Sequence, residues 1–202
     1  MTRIANHPEQ NVIRLQLRQN VVLQGLVGEA MAELEPHLTI TEGNKGDVLL
    51  HQGVREMEQY FILGGILKRV VSNKEGKEMI LRFADGGDME TSYAAWRLGT
   101  PTPYGIVCTT KAQVARMPLE AWADFIDRRT EAKKTFEYNV MRVMSEIMAH
   151  TITLHLLDAP GRLDRFLRKQ PQLLDRIPQK ELASYLNLSA ETLSRLMHSG
   201  KF

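Results

Sequence analysis

The side chains Phe136, Val140, Val143, Ile147, His150, Leu154 and Leu157 advance along the chain in steps of 4, 3, 4, 3, 4 and 3 residues. A seam that returns every 3.5 residues over three repeats demands one long continuous helix. Met141, Met144 and Met148 widen the stripe. Such a helix has apolar surface for its own chain and more for a second copy, so a homodimer seam through the seven stepped residues is expected. The break Asp158-Ala159-Pro160-Gly161 should end the helix and mark a domain boundary.

The texture before the seam is different. Residues 12–35 carry helical spacing through Ile13, Leu17 and Val21, with Leu26, Met31 and Leu34 beyond. From about 37 to 117 short apolar runs alternate with breaks rich in Gly, Asn and Lys. The runs are 37–41, 48–51, 59–63, 66–71, 79–83, 104–108 and 113–117, which predicts an antiparallel sandwich or barrel. Within it, 60–68 reads as a hairpin turning at Gly64-Gly65. Pro118 then opens the helical section.

The last 42 residues read as compact helices over 162–169, 179–186 and 190–197. Ala183 allows two backbones to approach, and Leu182, Leu186, Leu188, Leu193 and Leu196 are spaced to pack one helix on the next. Asn187 stands where the turn needs a left-handed residue, which Asn tolerates. Ser189 is a suitable N-cap for the final helix. The pattern predicts a helix-turn-helix whose second helix enters the major groove of double-stranded DNA. Residues 158–202 carry eight Lys/Arg against five Asp/Glu, which fits a nucleic-acid partner.

Composition removes other classes. With 43% hydrophobic and 25% charged residues the chain is globular, and no apolar run approaches a membrane span. No secretory signal is seen at the N-terminus. The single cysteine, Cys108, can build neither an intrachain disulfide nor a cluster site, which fits a reducing cytoplasm. A metal enzyme on this sheet would need two or three His and a Glu on neighbouring strands. Only His51 falls inside a middle strand, so an enzyme is not expected.

A sheet domain, a seamed helix and a helix-turn-helix, in that order, resemble the CRP/FNR superfamily of bacterial transcription regulators. The resemblance is most specific over 177–196. It implies an α+β chain with a double-stranded β-helix (jelly-roll) sensor domain and N-terminal helices at 1–117. A dimerisation region at 118–158 and a DNA-binding domain at 159–202 complete it. It further implies a cytoplasmic homodimer reading a near-palindromic operator, with RNA polymerase a candidate second partner. Glu191, Ser194 and Arg195 match the Glu-x-x-Ser-Arg pattern of the anaerobic-regulator branch, implying half-sites like TTGA. An Arg can fork to guanine O6 and N7, and a Glu can accept from cytosine N4. Gln179, Lys180, Ser189 and Thr192 match phosphate-contacting positions, which set register. The sequence stops at Ser199-Gly200-Lys201-Phe202, so the usual β-wing is expected to be incomplete.

Cyclic-nucleotide members bind ribose with a Glu and the cyclic phosphate with an Arg ten residues later. Aligning on Gly87-Asp88 places Ser92 and Thr102 at those positions, and no Lys or Arg lies between Leu98 and Thr110. A buried phosphate without a cation is costly, so control by cyclic AMP is not expected. Glu90 and Arg97 could replace the pair only in a rearranged loop. The candidate effector-pocket residues are Gly87, Asp88, Glu90, Thr91, Ser92, Thr102 and Tyr104; the effector is left open. No cofactor is expected, although His7, His37, His51 and His150 are candidate haem ligands. The competing reading is a ligand-binding or adaptor module with a degenerate pocket and weakened or lost DNA binding.

Overall fold

The computed structural model describes residues 2–199, the Ser199 side chain excepted. The elements are β1 (Thr2–Arg3), α1 (Gln10–Gln19), α2 (Glu29–Leu34), β2 (Thr39–Gly43), β3 (Val48–Leu50), β4 (Glu58–Gly64), β5 (Ile66–Ser72), β6 (Glu78–Asp85) and β7 (Met89–Thr91). After them come α3 (Tyr93–Arg97), β8 (Gly105–Cys108), β9 (Ala112–Pro118), α4 (Leu119–Asp127), α5 (Thr130–Leu156), α6 (Ala159–Lys169), α7 (Gln179–Tyr185) and α8 (Ala190–Ser199). Two antiparallel sheets, β1-β2-β9-β4-β7 and β3-β8-β5-β6, face each other. Tyr60, Ile62, Leu67, Ile106, Cys108 and Val114 fill the space between them.

The expected hairpin over 60–68 is corrected. β4 and β5 are consecutive but belong to opposite sheets, so the turn is a corner of the roll. Gly65 has φ +81°, and a Cβ there would meet the Lys111 carbonyl oxygen at 2.2 Å. Only glycine lets the chain cross so close to another strand. β4 is also buried on both faces. Phe61 and Leu63 point away from the inter-sheet core into a cluster with α1, α4 and the start of α5. Helices covering the outer face explain why β4 reads as an unbroken apolar run.

The N-terminal helical stretch is two helices, broken across 20–28. The section after Pro118 is likewise split by Arg128-Arg129 into α4 and α5. His51 lies exposed just beyond β3, which is an edge strand, and not inside a middle strand. Strand β7 and helix α3 are too short to carry a readable period.

Helix α5 runs for 27 residues, but its seam does not face one way. Phe136 is fully buried and meets Trp122 and Tyr93 edge-on. Val143 is also buried and Val140 packs on the same core. Further along, Ile147 and Leu154 are half-buried, His150 contacts α7, and Leu157 is exposed. The first half of the seam is therefore intrachain core. The apolar surface left without a partner within the chain is Tyr138, Met141, Met144, Met148, Ile152 and Leu156, 46–77% exposed.

The C-terminal helices do not stand apart. Leu163, Phe166, Leu182, Tyr185 and Leu193 share one cluster with Ile66, Val70, Ile80 and Phe83 on the outer face of the second sheet. Lys68 on β5 pairs with Glu181 on α7 at 2.7 Å, and Arg176 pairs with Asp85 at 2.8 Å. Asp158 caps α6 by accepting from the Gly161 amide at 3.0 Å, and Pro160 sits harmlessly in the first turn.

Candidate DNA interface and sensor interior

Leu182, Ala183, Leu186 and Leu193 lock α7 against α8, all buried. The turn between them depends on Asn187, whose φ of +53° is the only positive value at a non-glycine among the described residues. The Leu188 amide then reaches the Ala183 carbonyl at 2.9 Å. Ser189 Oγ accepts from the Thr192 amide at 3.0 Å and lies 2.9 Å from its hydroxyl. This N-cap fixes the first turn of α8 and leaves its outer face to solvent.

On that face Glu191 and Arg195 are 78% and 72% exposed and form an i,i+4 pair at 3.0 Å. An exposed pair of this kind is worth only a few tenths of a kcal/mol, so it holds both side chains loosely. Gln179, Lys180 and Ser189 are exposed, and Ser194 and Thr192 are half-buried. The described surface of α7 and α8 thus presents two cations, one carboxylate and several neutral groups that can both donate and accept. The expectation about a wing concerns chain beyond the described residues.

The sensor interior is closed. Arg69 on β5 and Arg82 on β6 are cross-strand partners in register, a pairing of like charges that costs stability by itself. Glu90 on β7, 1% exposed, lies between them. Arg69 Nε donates to Glu90 Oε2 at 2.9 Å, and Arg82 Nη1 lies 3.1 Å from Oε1. Arg82 also pairs with Asp88, which Arg142 of α5 reaches at 3.4 Å. Gly87 adopts φ +90° at the turn that delivers Asp88.

The two positions aligned with the cyclic-nucleotide Glu and Arg contact each other: Ser92 Oγ and Thr102 Oγ1 are 3.1 Å apart, both buried. Thr102 also donates to the Tyr104 carbonyl at 3.1 Å, and Tyr104 Oη donates to the Thr91 carbonyl at 2.7 Å. Arg69 lies over the Tyr104 ring at 4.1 Å. The space left beside Arg69, Thr91 and Tyr104 is about 10 Å³, room for at most one water.

The predicted pocket residues therefore do come together, but around one another. The idea that Glu90 and Arg97 act as a substitute pair is corrected, because Glu90 is held by Arg69 and Arg82 while exposed Arg97 sits 6.0 Å from the Tyr93 ring. Arg69 and Arg82 lie on β5 and β6, outside the loop after Gly87 to which the sequence resemblance points. Their signal was a charge at an inward-facing phase of otherwise apolar strands, Arg69 two residues from Leu67. Burial, and then Asp47, push the Cys108 thiol up to about 11, so it is an inert core side chain. His150 lies against α7, its Nε2 3.1 Å from the Tyr185 carbonyl.

Residues 41–129 match the family model for the cyclic nucleotide-binding domain. The cAMP-activated global transcriptional regulator CRP of Salmonella typhimurium is 23% identical over 171 residues, covering 80% of this chain and 81% of the relative. The CRP of Haemophilus influenzae is 21% identical over 159 residues, covering 74% and 71%. Among solved structures, FixK2 from Bradyrhizobium japonicum superposes with a TM-score of 0.72 at 15% identity, covering 80% of this chain and 83% of that one. A CooA mutant from Carboxydothermus hydrogenoformans gives 0.71 at 15% identity, covering 90% and 84%. A cyclic nucleotide-binding domain match over 41–129, sequence similarity to cAMP-activated CRP regulators and an α+β fold shared with FixK2 and CooA thus join a helix-turn-helix on one chain.

Proposed function

We propose that this chain is a homodimeric, DNA-binding transcription regulator that works without cyclic AMP. Residues 1–117 form its sensor domain, 118–158 its dimerisation region and 159–202 its DNA-binding domain. The observation that carries the reading is the exposed face of α8, held by the Ser189 cap and the left-handed Asn187 turn, with Glu191 and Arg195 side by side. Arg195, Glu191 and Ser194 read base edges in each half of a near-palindromic operator, and Gln179, Lys180, Ser189 and Thr192 grip phosphates. Two such helices in a dimer span major grooves about 34–36 Å apart.

The dimer forms along α5 through Met141, Met144, Met148 and Ile152, the side left bare by the chain's own packing. Contiguous exposed methionines of this kind are adaptable contact surface. Independence from cyclic AMP is supported by the Ser92–Thr102 contact and by the closed interior, since a nucleotide-sized ligand needs on the order of 300 Å³ or more. Selection of duplexes from a random pool by the purified protein tests the function. Enrichment of a two-fold symmetric site is the expected outcome, and recovery of no motif at low salt would favour the adaptor reading.

A further inference from the structure

A cleft of about 260 Å³ opens where the second sheet, α5 and the C-terminal helices meet. It is lined by Arg82 from β6, Glu146 from α5, and Arg162, Arg165 and Lys169 from α6. Four cations thus face one carboxylate, and Arg142 already holds that Glu146 at 2.8 Å. Among the described residues, Arg165 and Lys169 have no acidic partner within 4.0 Å. Arg162 spends its donors on the carbonyls of Leu157, Leu186 and Asn187, which leaves its charge uncompensated. A concave site lined by one sign of charge concentrates counter-ions.

A second observation points the same way. Gln170 also lines the cleft, and its Oε1 is buried without a hydrogen-bond partner. Turned over, that amide offers donors to an oxyanion. Ser145, His150, Thr153 and Tyr185 add polar groups to the lining, and Leu81, Ala149, Phe166 and Leu186 give it an apolar part.

We propose that this cleft binds a compact phosphate ester, the phosphate held by Arg165 and Lys169 and the organic part lying on Phe166 and Leu186. A doubly charged oxyanion matches several guanidinium and ammonium donors better than a single carboxylate does. The volume suits a small metabolite, below the usual range for drug-sized ligands. The lining comes from β6, α5, α6 and α7, so an occupant clamps the DNA-binding helices onto the sensor sheet. Arg82 ties the same cleft to Glu90 and Asp88 inside the sensor. Any effect on operator affinity rests on the DNA-binding reading above; binding itself does not.

The test is calorimetric titration of the full chain, without DNA, with phenyl phosphate, inorganic phosphate and phenol at fixed ionic strength. Phenyl phosphate should saturate one site per chain, inorganic phosphate should bind more weakly, and phenol should not bind. Arg165→Ala with Lys169→Ala should weaken phenyl phosphate at least tenfold while circular dichroism stays unchanged. Arg168→Ala, which removes an equally basic α6 side chain outside the lining, should leave it unchanged. Unsaturable binding, equal loss in Arg168→Ala, or retained binding in the double variant overturns the site. Inorganic phosphate binding as tightly as the ester overturns the ester assignment. Operator affinity with and without phenyl phosphate is then measured separately, and an unchanged value with binding intact overturns the clamp.

Discussion

The imidazole of His150 lies flat on the phenol ring of Tyr185, centroids 3.8 Å apart and planes 4° from parallel. The two rings join the long helix α5 to α7, and the Nε2 proton of the neutral imidazole goes to the Tyr185 carbonyl. Burial lowers the His150 pKa to about 4 from 6.5; the backbone bond opposes the shift and Arg165 adds to it. The unfolded chain takes up this proton below about 6.5, and the folded chain only near 4. The contribution of His150 is therefore complete above about 6.5 and declines as pH falls towards 4. His150→Phe keeps a stacked ring and removes the titration. Urea unfolding at pH 7 and pH 4.5 should show a smaller acid loss in the variant than in the parent, and an equal loss would place the sensitivity elsewhere.

Glu90 neutralises two buried arginines. Glu90→Gln should destabilise the fold by about 3–5 kcal/mol, the usual cost of leaving buried charge unpaired. Sulfate should recover part of that loss in Glu90→Ala, where the removed carboxylate leaves room beside Arg69 and Arg82. In the unmodified protein, millimolar cyclic AMP should not raise the melting temperature. A ligand at 100 times its Kd would stabilise by about 2.7 kcal/mol, a shift easily seen by calorimetry.

Association along α5 should fail when its bare face is charged. Met144→Glu with Met148→Glu places like charges on the exposed stripe and should give monomers by light scattering. Because both side chains are 46–61% exposed, thermal stability of the monomer unit should change by less than about 1 kcal/mol. Phe136→Glu would instead unfold the chain. A dimer that survives the double Met substitution would assign its interface to another surface.

Arg195→Ala should cost about 1–3 kcal/mol per half-site and relax preference at its guanine. Lys180→Ala should weaken all duplexes alike and lower the salt slope by about one unit per half-site. Competition between the selected operator and random duplex at matched salt separates the two. Equal loss on both for Arg195→Ala would make it a phosphate clamp.

The order of elements was legible because periodicity is a local property. The 3.5-residue spacing announced α5, seven of the strands left apolar runs, and the Asn187 turn and Ser189 cap act within a few residues of themselves. What those faces meet was not legible. The same heptad seam could have faced a second copy along its length, and folding instead spent Phe136 and Val143 on the chain's own core while leaving the methionines bare. Gly64-Gly65 signalled a turn, but only the approach of Lys111 and Ala112 made it a corner between sheets. Glu90 meets Arg69 and Arg82 from 21 and 8 positions away along the chain, through strands of two different sheets. Sequence sets the pattern of each element; the pairing of inward charges and the docking of α7 on β6 are decided only when the sheets close, because burial makes an unpartnered charge or apolar face too costly to keep.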